Sequence, residues 1–261
     1  MGSFVKLEWL DPYELFASKL DLSRRPMALS FNEAFAAFRR CHSILHDLQW
    51  ADFNCEEGWL TEGDDEAAQT QLDPGALQYQ AQVEDNSADW QASVVLLFAD
   101  DALQSLARGV LRDHKSLDGY GPEYLDVTNS GRPVRLTTLL RAGTNAIRHV
   151  SDWDTPEMPF PYRRPEEADE RWQQALQNID VINRAFGIGT SGRIRDFVSM
   201  RVLIRVDGTL GDKDTEPSYA RFERAMIEAA TDIARKANGA ERLERSLRQL
   251  VAAVDPRNND P

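Results

Sequence analysis

Between Leu136 and Asp152 the chain reads LTTLLRAGTNAIRHVSD, and no other stretch restricts the possible folds so tightly. Leu136, Leu139, Leu140, Gly143, Ala146, Ile147 and Val150 recur at helical spacing, which gathers apolar or small side chains on one side of an α-helix and requires a core to receive them. At about 100° per residue, Arg141, Asn145, Arg148, His149 and Asp152 fall on the opposite stripe, with Thr144 at its edge. The expected element is a helix with one face in a core and its chemistry on the other.

Charge singles out the same region. The chain has 43 acidic residues in 261 and a net charge of −13. About four acids would be expected between Val127 and Ser151. There are none, while Arg132, Arg135, Arg141 and Arg148 all lie there. A basic island in an acidic chain is where an anion or phosphate docks, which makes Arg132, Arg135 and Thr144 candidate substrate contacts beside the helix stripe. A core helix whose arginines pair with acids such as Asp152 and Asp154 gives the same pattern, and both readings stand at this point.

A 42% hydrophobic and 28% charged composition with six Trp is that of an ordered globular protein and not of a disordered chain. The longest apolar run, around Ala92 to Ala99, is far shorter than the ~20 residues of a membrane span, and no signal organisation opens the chain. The expected location is cytoplasmic, with no membrane association. Cys41 and Cys55 form neither a zinc nor a disulfide framework. His42 and His46 have the spacing of two ligands on one helix face, but no third ligand stands near them, so neither a metal nor a cofactor is expected. The strong negative charge argues against broad adhesion to nucleic acid or anionic lipid and leaves room for a local RNA site.

Asp11 and Pro12 resemble an N-cap with proline at N1, suggesting a short helix within Leu7 to Leu20. Ser30 and Glu33 form a capping box, from which Ala34, Phe38, Cys41, Leu45 and Leu48 trace a helix to Trp50. Cys55 to Ser87, rich in acids and amides and interrupted at Asp73, Pro74 and Gly75, reads as an extended acidic excursion. Trp90 to His114 is a helix with Val94, Leu97, Phe98, Leu103, Leu106 and Val110 as its apolar side, followed by a loop from Ser116 to Pro133. Beyond the prolines after Trp153, helices are expected over Glu166 to Phe186, Ser218 to Ala237 and Glu241 to Val254. Phe197 to Val206 reads as a strand or a short buried helix, and helix is preferred because no partner strand is evident. The result is an all-α bundle with long irregular connections, divided into an N-terminal extension (1–29), a core (30–187) with an acidic insertion (55–87), a C-terminal helical extension (188–254) and a polar tail (255–261).

The chain has no GxSxG elbow, no HExxH and no P-loop, and its GIGTSGR cluster has the spacing of a connector and not of a phosphate loop. What remains is TNAIRH, with Asn145 and His149 in Asn-xxx-His spacing. This segment resembles the HEPN superfamily, all-α proteins whose signature on the third major helix is Arg, a polar residue that is often Asn, three residues, then His. The helix order over Ser30 to Phe186 is similar to the HEPN four-helix core. The resemblance implies a metal-independent endoribonuclease of a bacterial defence or toxin-type system, assembled as a homodimer through the motif helix. It also implies that His149 is the general acid or base, Arg148 or Arg141 the phosphate ligand, and Asn145 the positioner of His149 or substrate. Thr144 stands where HEPN nucleases carry the Arg. HEPN-like domains without that Arg often serve as interaction or sensing subunits beside a partner protein, which is the second reading. A purely structural helical protein with no RNA role is the third.

Overall fold

The computed structural model describes residues 11–56, 74–111, 119–124, 134–148, 173, 177–178, 180–186, 198–207 and 216–254. Among them the chain is predominantly helical: α1 (Pro12–Glu56), α2 (Pro74–Val110), α3 (Leu136–Arg148), α4 (180–186), α5 (Val198–Asp207), α6 (Tyr219–Lys236) and α7 (Ala240–Val254). A two-residue antiparallel ladder precedes α3. In it β1 (Glu123–Tyr124) pairs with β2 (Val134–Arg135), where the sequence suggested only loop. The all-α expectation holds, with this small ladder as an addition.

Helix α1 begins as its sequence indicates: the Tyr13 N–H donates to Asp11 Oδ1 at 3.1 Å, with Pro12 in the first turn. It does not then stop and restart. One continuous helix of 45 residues runs through Pro26 and through the capping-box signature at Ser30. The reason is the apolar stripe. Phe16, Leu20, Met27, Phe31, Ala34 and Phe35 are all buried on one line, which a break at Ser30 would put out of register. Pro26 leaves the Leu22 carbonyl without its helical donor. The Leu22 side chain is 80% exposed, so that turn faces solvent.

Part of the expected acidic excursion is helical, because α2 begins at Pro74 and residues 74–87 belong to it, while residues 57–73 lie outside the described residues. Pro74 and Gly75 thus open a helix and do not interrupt a loop. The buried line of α2 runs through Ala81, Ala88, Ala92, Val95, Ala99, Ala102 and Leu106, largely at three- and four-residue steps. Alanines let α1 and α2 approach closely, and that is why the larger residues expected inside fall elsewhere: Phe98 is 44% exposed, while Val94 and Leu97 are half-buried.

Residues 198–207 form a helix, α5. Its first turn receives a carboxylate from α2: Asp89 Oδ1 accepts the Met200 N–H at 3.0 Å, capping a helix distant in sequence. At its other end Asp207, whose side chain is fully buried, accepts from the Ser218 N–H and from Arg221 Nη2, both at 3.1 Å. Helix α6 ends at Lys236 and passes through Asn238 in the left-handed region (φ 55°) to Gly239. A Cβ on Gly239 would lie 1.7 Å from the Tyr13 hydroxyl oxygen, so any side chain there requires the Tyr13 ring to move.

One buried cluster takes Phe16, Leu20 and Met27 from α1, Leu96 and Leu106 from α2, Leu139 and Leu140 from α3, and Met200, Phe222 and Met226 from α5 and α6. The expected N-terminal and C-terminal extensions therefore share a core with the region between them. No helix among the described residues is long and apolar enough to cross a membrane.

Candidate functional site

Two short structures position α3. The β1–β2 ladder delivers the chain to Leu136, and the hydroxyls of the first turn hold the preceding loop: Thr137 Oγ1 accepts the Tyr120 N–H and Thr138 Oγ1 accepts the Gly119 N–H, each at 3.0 Å. The expected inner face is largely observed. Leu136, Leu139, Leu140 and Gly143 are buried and Ile147 packs against the cluster. A Cβ on Gly143 would come within 3.3 Å of Val202 and 3.4 Å of Leu96, so this glycine sits where α2, α3 and α5 converge. The side chains of Ala146 and Val150 lie outside the described residues.

The outer stripe is more divided than its sequence suggested. Arg141 and Asn145 are half-buried one turn apart, and the Asn145 amide donates to Asn178 Oδ1 at 3.4 Å. Arg148 is the last residue of α3, and its side chain, like Arg132 and His149, lies outside the described residues.

Thr144 departs from its expected place at the edge. It is 0% exposed, and its hydroxyl lies 3.1 Å from Asp100 Oδ2 on α2 and 3.2 Å from the Arg141 carbonyl oxygen. A hydroxyl so enclosed cannot meet a substrate in this arrangement, which corrects its assignment as a substrate contact. The physical cause is Asp100, a buried acid that takes donors from both Thr144 and Gln104 Nε2, the latter at 2.7 Å. Gln104 in turn accepts from Arg108 at 2.7 Å, so the polar chain runs from the core to the surface of α2.

Arg135 also differs from its expected role. Its Nη2 pairs with Glu123 Oε1 at 2.5 Å across the ladder. Glu123 lies outside the acid-free window in sequence and faces Arg135 across the ladder, so this cation of the window is paired.

Sequence reasoning missed Asp100, Asn178 and Arg184. Asp100 sits four residues after Leu96 and three before Leu103, both buried, so an acid on the core side of α2 was the available signal. Arg184 on α4 is buried and pairs with Asp180 at 3.0 Å. Among the described residues no group of three His, Cys, Asp or Glu is arranged to hold a metal ion. The His42 ring meets Phe38 edge-on at 4.4 Å.

No family model, no curated protein and no solved structure matches this chain.

Proposed function

We propose that the outer stripe of α3 engages RNA phosphate and that the chain is a HEPN-like, metal-independent endoribonuclease. The observation that carries the reading is the order of residues along α3: Arg141, Asn145 and Arg148 follow at i, i+4 and i+7 on a helix whose opposite side is anchored in the core, and His149 is the next residue in the sequence.

In this reading the substrate's 2′-oxygen attacks the adjacent phosphorus, the P–O5′ bond breaks, and a 2′,3′-cyclic phosphate forms. His149 exchanges protons with the attacking 2′-hydroxyl or the departing 5′-oxygen, at a pKa suited to neutral pH. Arg148 or Arg141 offsets the charge that builds on the phosphorane. Asn145, already tied to Asn178, positions rather than reacts. A homodimer through α3 would bring two such stripes together, and a role in bacterial defence or toxin action belongs to the same reading.

One observation favours the alternative, a non-catalytic interaction or sensing subunit beside a partner protein. The position where HEPN nucleases carry Arg is here a buried Thr committed to Asp100. The two readings separate in an RNA-cleavage assay in EDTA. Under the nuclease reading His149→Ala lowers the rate by ~10²- to 10⁴-fold with helix content unchanged, and Arg148→Ala also weakens RNA binding. No cleavage by the wild type, on structured and single-stranded RNA, selects the interaction reading.

A further inference from the structure

Over its first half, the side of α2 that faces away from the core carries no exposed charge. From Gly75 to Trp90 every exposed residue is uncharged, in a chain of net charge −13. Three large apolar side chains stand on that side: Tyr79 (70% exposed), Val83 (47%) and Trp90 (70%). With Asn86 they form a stripe along the helix, opposite the buried line of Leu77, Ala81 and Ala88. The acids in the same span, Glu84, Asp85 and Asp89, lie to either side and are partly buried. Glu84 pairs with Arg40 at 3.0 Å, and Asp89 turns its carboxylate to the Met200 N–H.

We propose that this stripe is the contact surface for a second copy of the chain, paired antiparallel about a two-fold axis. The spacing is the first argument. Tyr79, Val83, Asn86 and Trp90 are separated by four, three and four residues, a pattern that reads the same in reverse. A two-fold axis between Val83 and Asn86 places Tyr79 of one copy against Trp90 of the other, and Val83 against Asn86, with Gln82 and Ser87 meeting beside them. Isologous contacts require this kind of self-complementarity, which steps of four, three and four, those of any one-sided helix stripe, allow; charge and composition then argue for it.

Charge is the second argument. Two molecules of like charge repel, and screening reduces that repulsion only beyond about 8 Å at physiological ionic strength. A self-contact therefore needs a face without exposed carboxylates, which this one supplies. Composition is the third: exposed Tyr and Trp amid amides, with charge depleted, is the make-up of an interface centre. Two Trp and two Tyr, at about 150–250 Å² each, supply much of the roughly 1,000 Å² that a specific contact needs.

The surface is on a different helix from α3, and the inference does not depend on RNA chemistry. If both helices form two-fold contacts, the assembly grows beyond a dimer, which its mass will register.

The test is sedimentation equilibrium of the full chain with Tyr79→Glu and Trp90→Lys. Each variant alone weakens association by at least about 30-fold, the size of a hot-spot loss. Mixing the two single variants restores it, because the mixed pair sets the introduced carboxylate against the introduced ammonium at one contact and retains Trp90 against Tyr79 at the other. The double variant, with both exchanges in one chain, self-associates again because each contact then joins a carboxylate to an ammonium. Both side chains point outward, so far-UV circular dichroism and melting temperature stay at wild-type values, and Leu29→Glu on α1 leaves the mass unchanged. A wild type that is monomeric at all concentrations overturns the proposal, as does association that the single variants leave intact or that the mixture fails to restore.

Discussion

At Thr144 the side-chain oxygen has one buried acid and one carbonyl within reach and no exposure to water. Removing it while keeping the shape isolates the value of that hydrogen bond. Thr144→Val leaves Asp100 with Gln104 as donor but without the α3 hydroxyl. The loss expected in urea unfolding is about 1–3 kcal/mol with an unchanged m-value; a midpoint equal to wild type would show that Thr144 contributes only by packing. Asp89 makes a second residue-scale case. Burial pushes its carboxyl above the usual carboxylate range, with the N–H groups of Met200 and Ser199 pulling it back down. The folded state therefore holds the Asp89 proton more tightly than the unfolded chain does. Its contribution to stability is greatest below the ordinary carboxylate value, declines as pH rises to the raised folded value, and is level above that. Asp89→Asn keeps an acceptor for α5 and loses the titration, so its stability relative to wild type should rise with pH across that window in denaturation curves taken from about pH 3 to about pH 7. Wild type and variant moving in parallel would remove Asp89 from the account. Neither role is legible in sequence, because the partners of Asp100 and Asp89 lie 44 and 111 residues away.

At the scale of helices, the sequence signals worked where the local pattern and the tertiary packing agree. The inner face of α3 was readable because large apolar residues carry its periodicity, and α6 was readable because Phe222, Met226 and Ile233 recur among its buried alanines and Pro217 and Gly239 bound it. Helix α1 was misread because a capping box and a proline are local signals, and the continuous burial from Phe16 to Phe35 outweighs both. The inner face of α2 was misread because alanine, the residue that makes its contact with α1, gives little hydrophobic contrast. Junctions between helices are set by polar pairs that sequence does not announce. Arg221 shows this well: its Nε donates to the Asp207 carbonyl at 3.0 Å and its Nη2 reaches the buried Asp207 carboxylate, locking the end of α5 to the start of α6. Arg221→Ala should cost about 3 kcal/mol, the low end for breaking a buried ion pair, because Arg221 is itself 38% exposed. Adding Asp207→Asn should recover part of that loss in a double-mutant cycle, since the stranded charge is then gone. Additive effects of the two changes would show that they do not interact.

At the scale of the whole molecule, the question is whether the first 187 residues could stand alone, as a HEPN-like core followed by an appendage would. The packing argues against it. Phe31 of α1 has its ring centroid 5.9 Å from that of Tyr219 and 6.1 Å from that of Phe222, both on α6. Met200, Val202 and Leu203 from α5, with Phe222, Met226 and Ile233 from α6, lie in the same buried cluster as the helices before them. Each large apolar side chain contributes roughly 1.5–3 kcal/mol when buried. Six of them together are comparable to the whole stability of an ordinary domain, about 5–15 kcal/mol. A fragment ending at Gly187 would also expose the inner sides of α1, α2 and α3 that these residues cover. Such a fragment should keep helical circular dichroism, bind a hydrophobic dye, and unfold in urea without a cooperative transition. A sharp transition with a midpoint near that of the full chain would instead divide the molecule into two cores and return residues 188–254 to the status of an appendage.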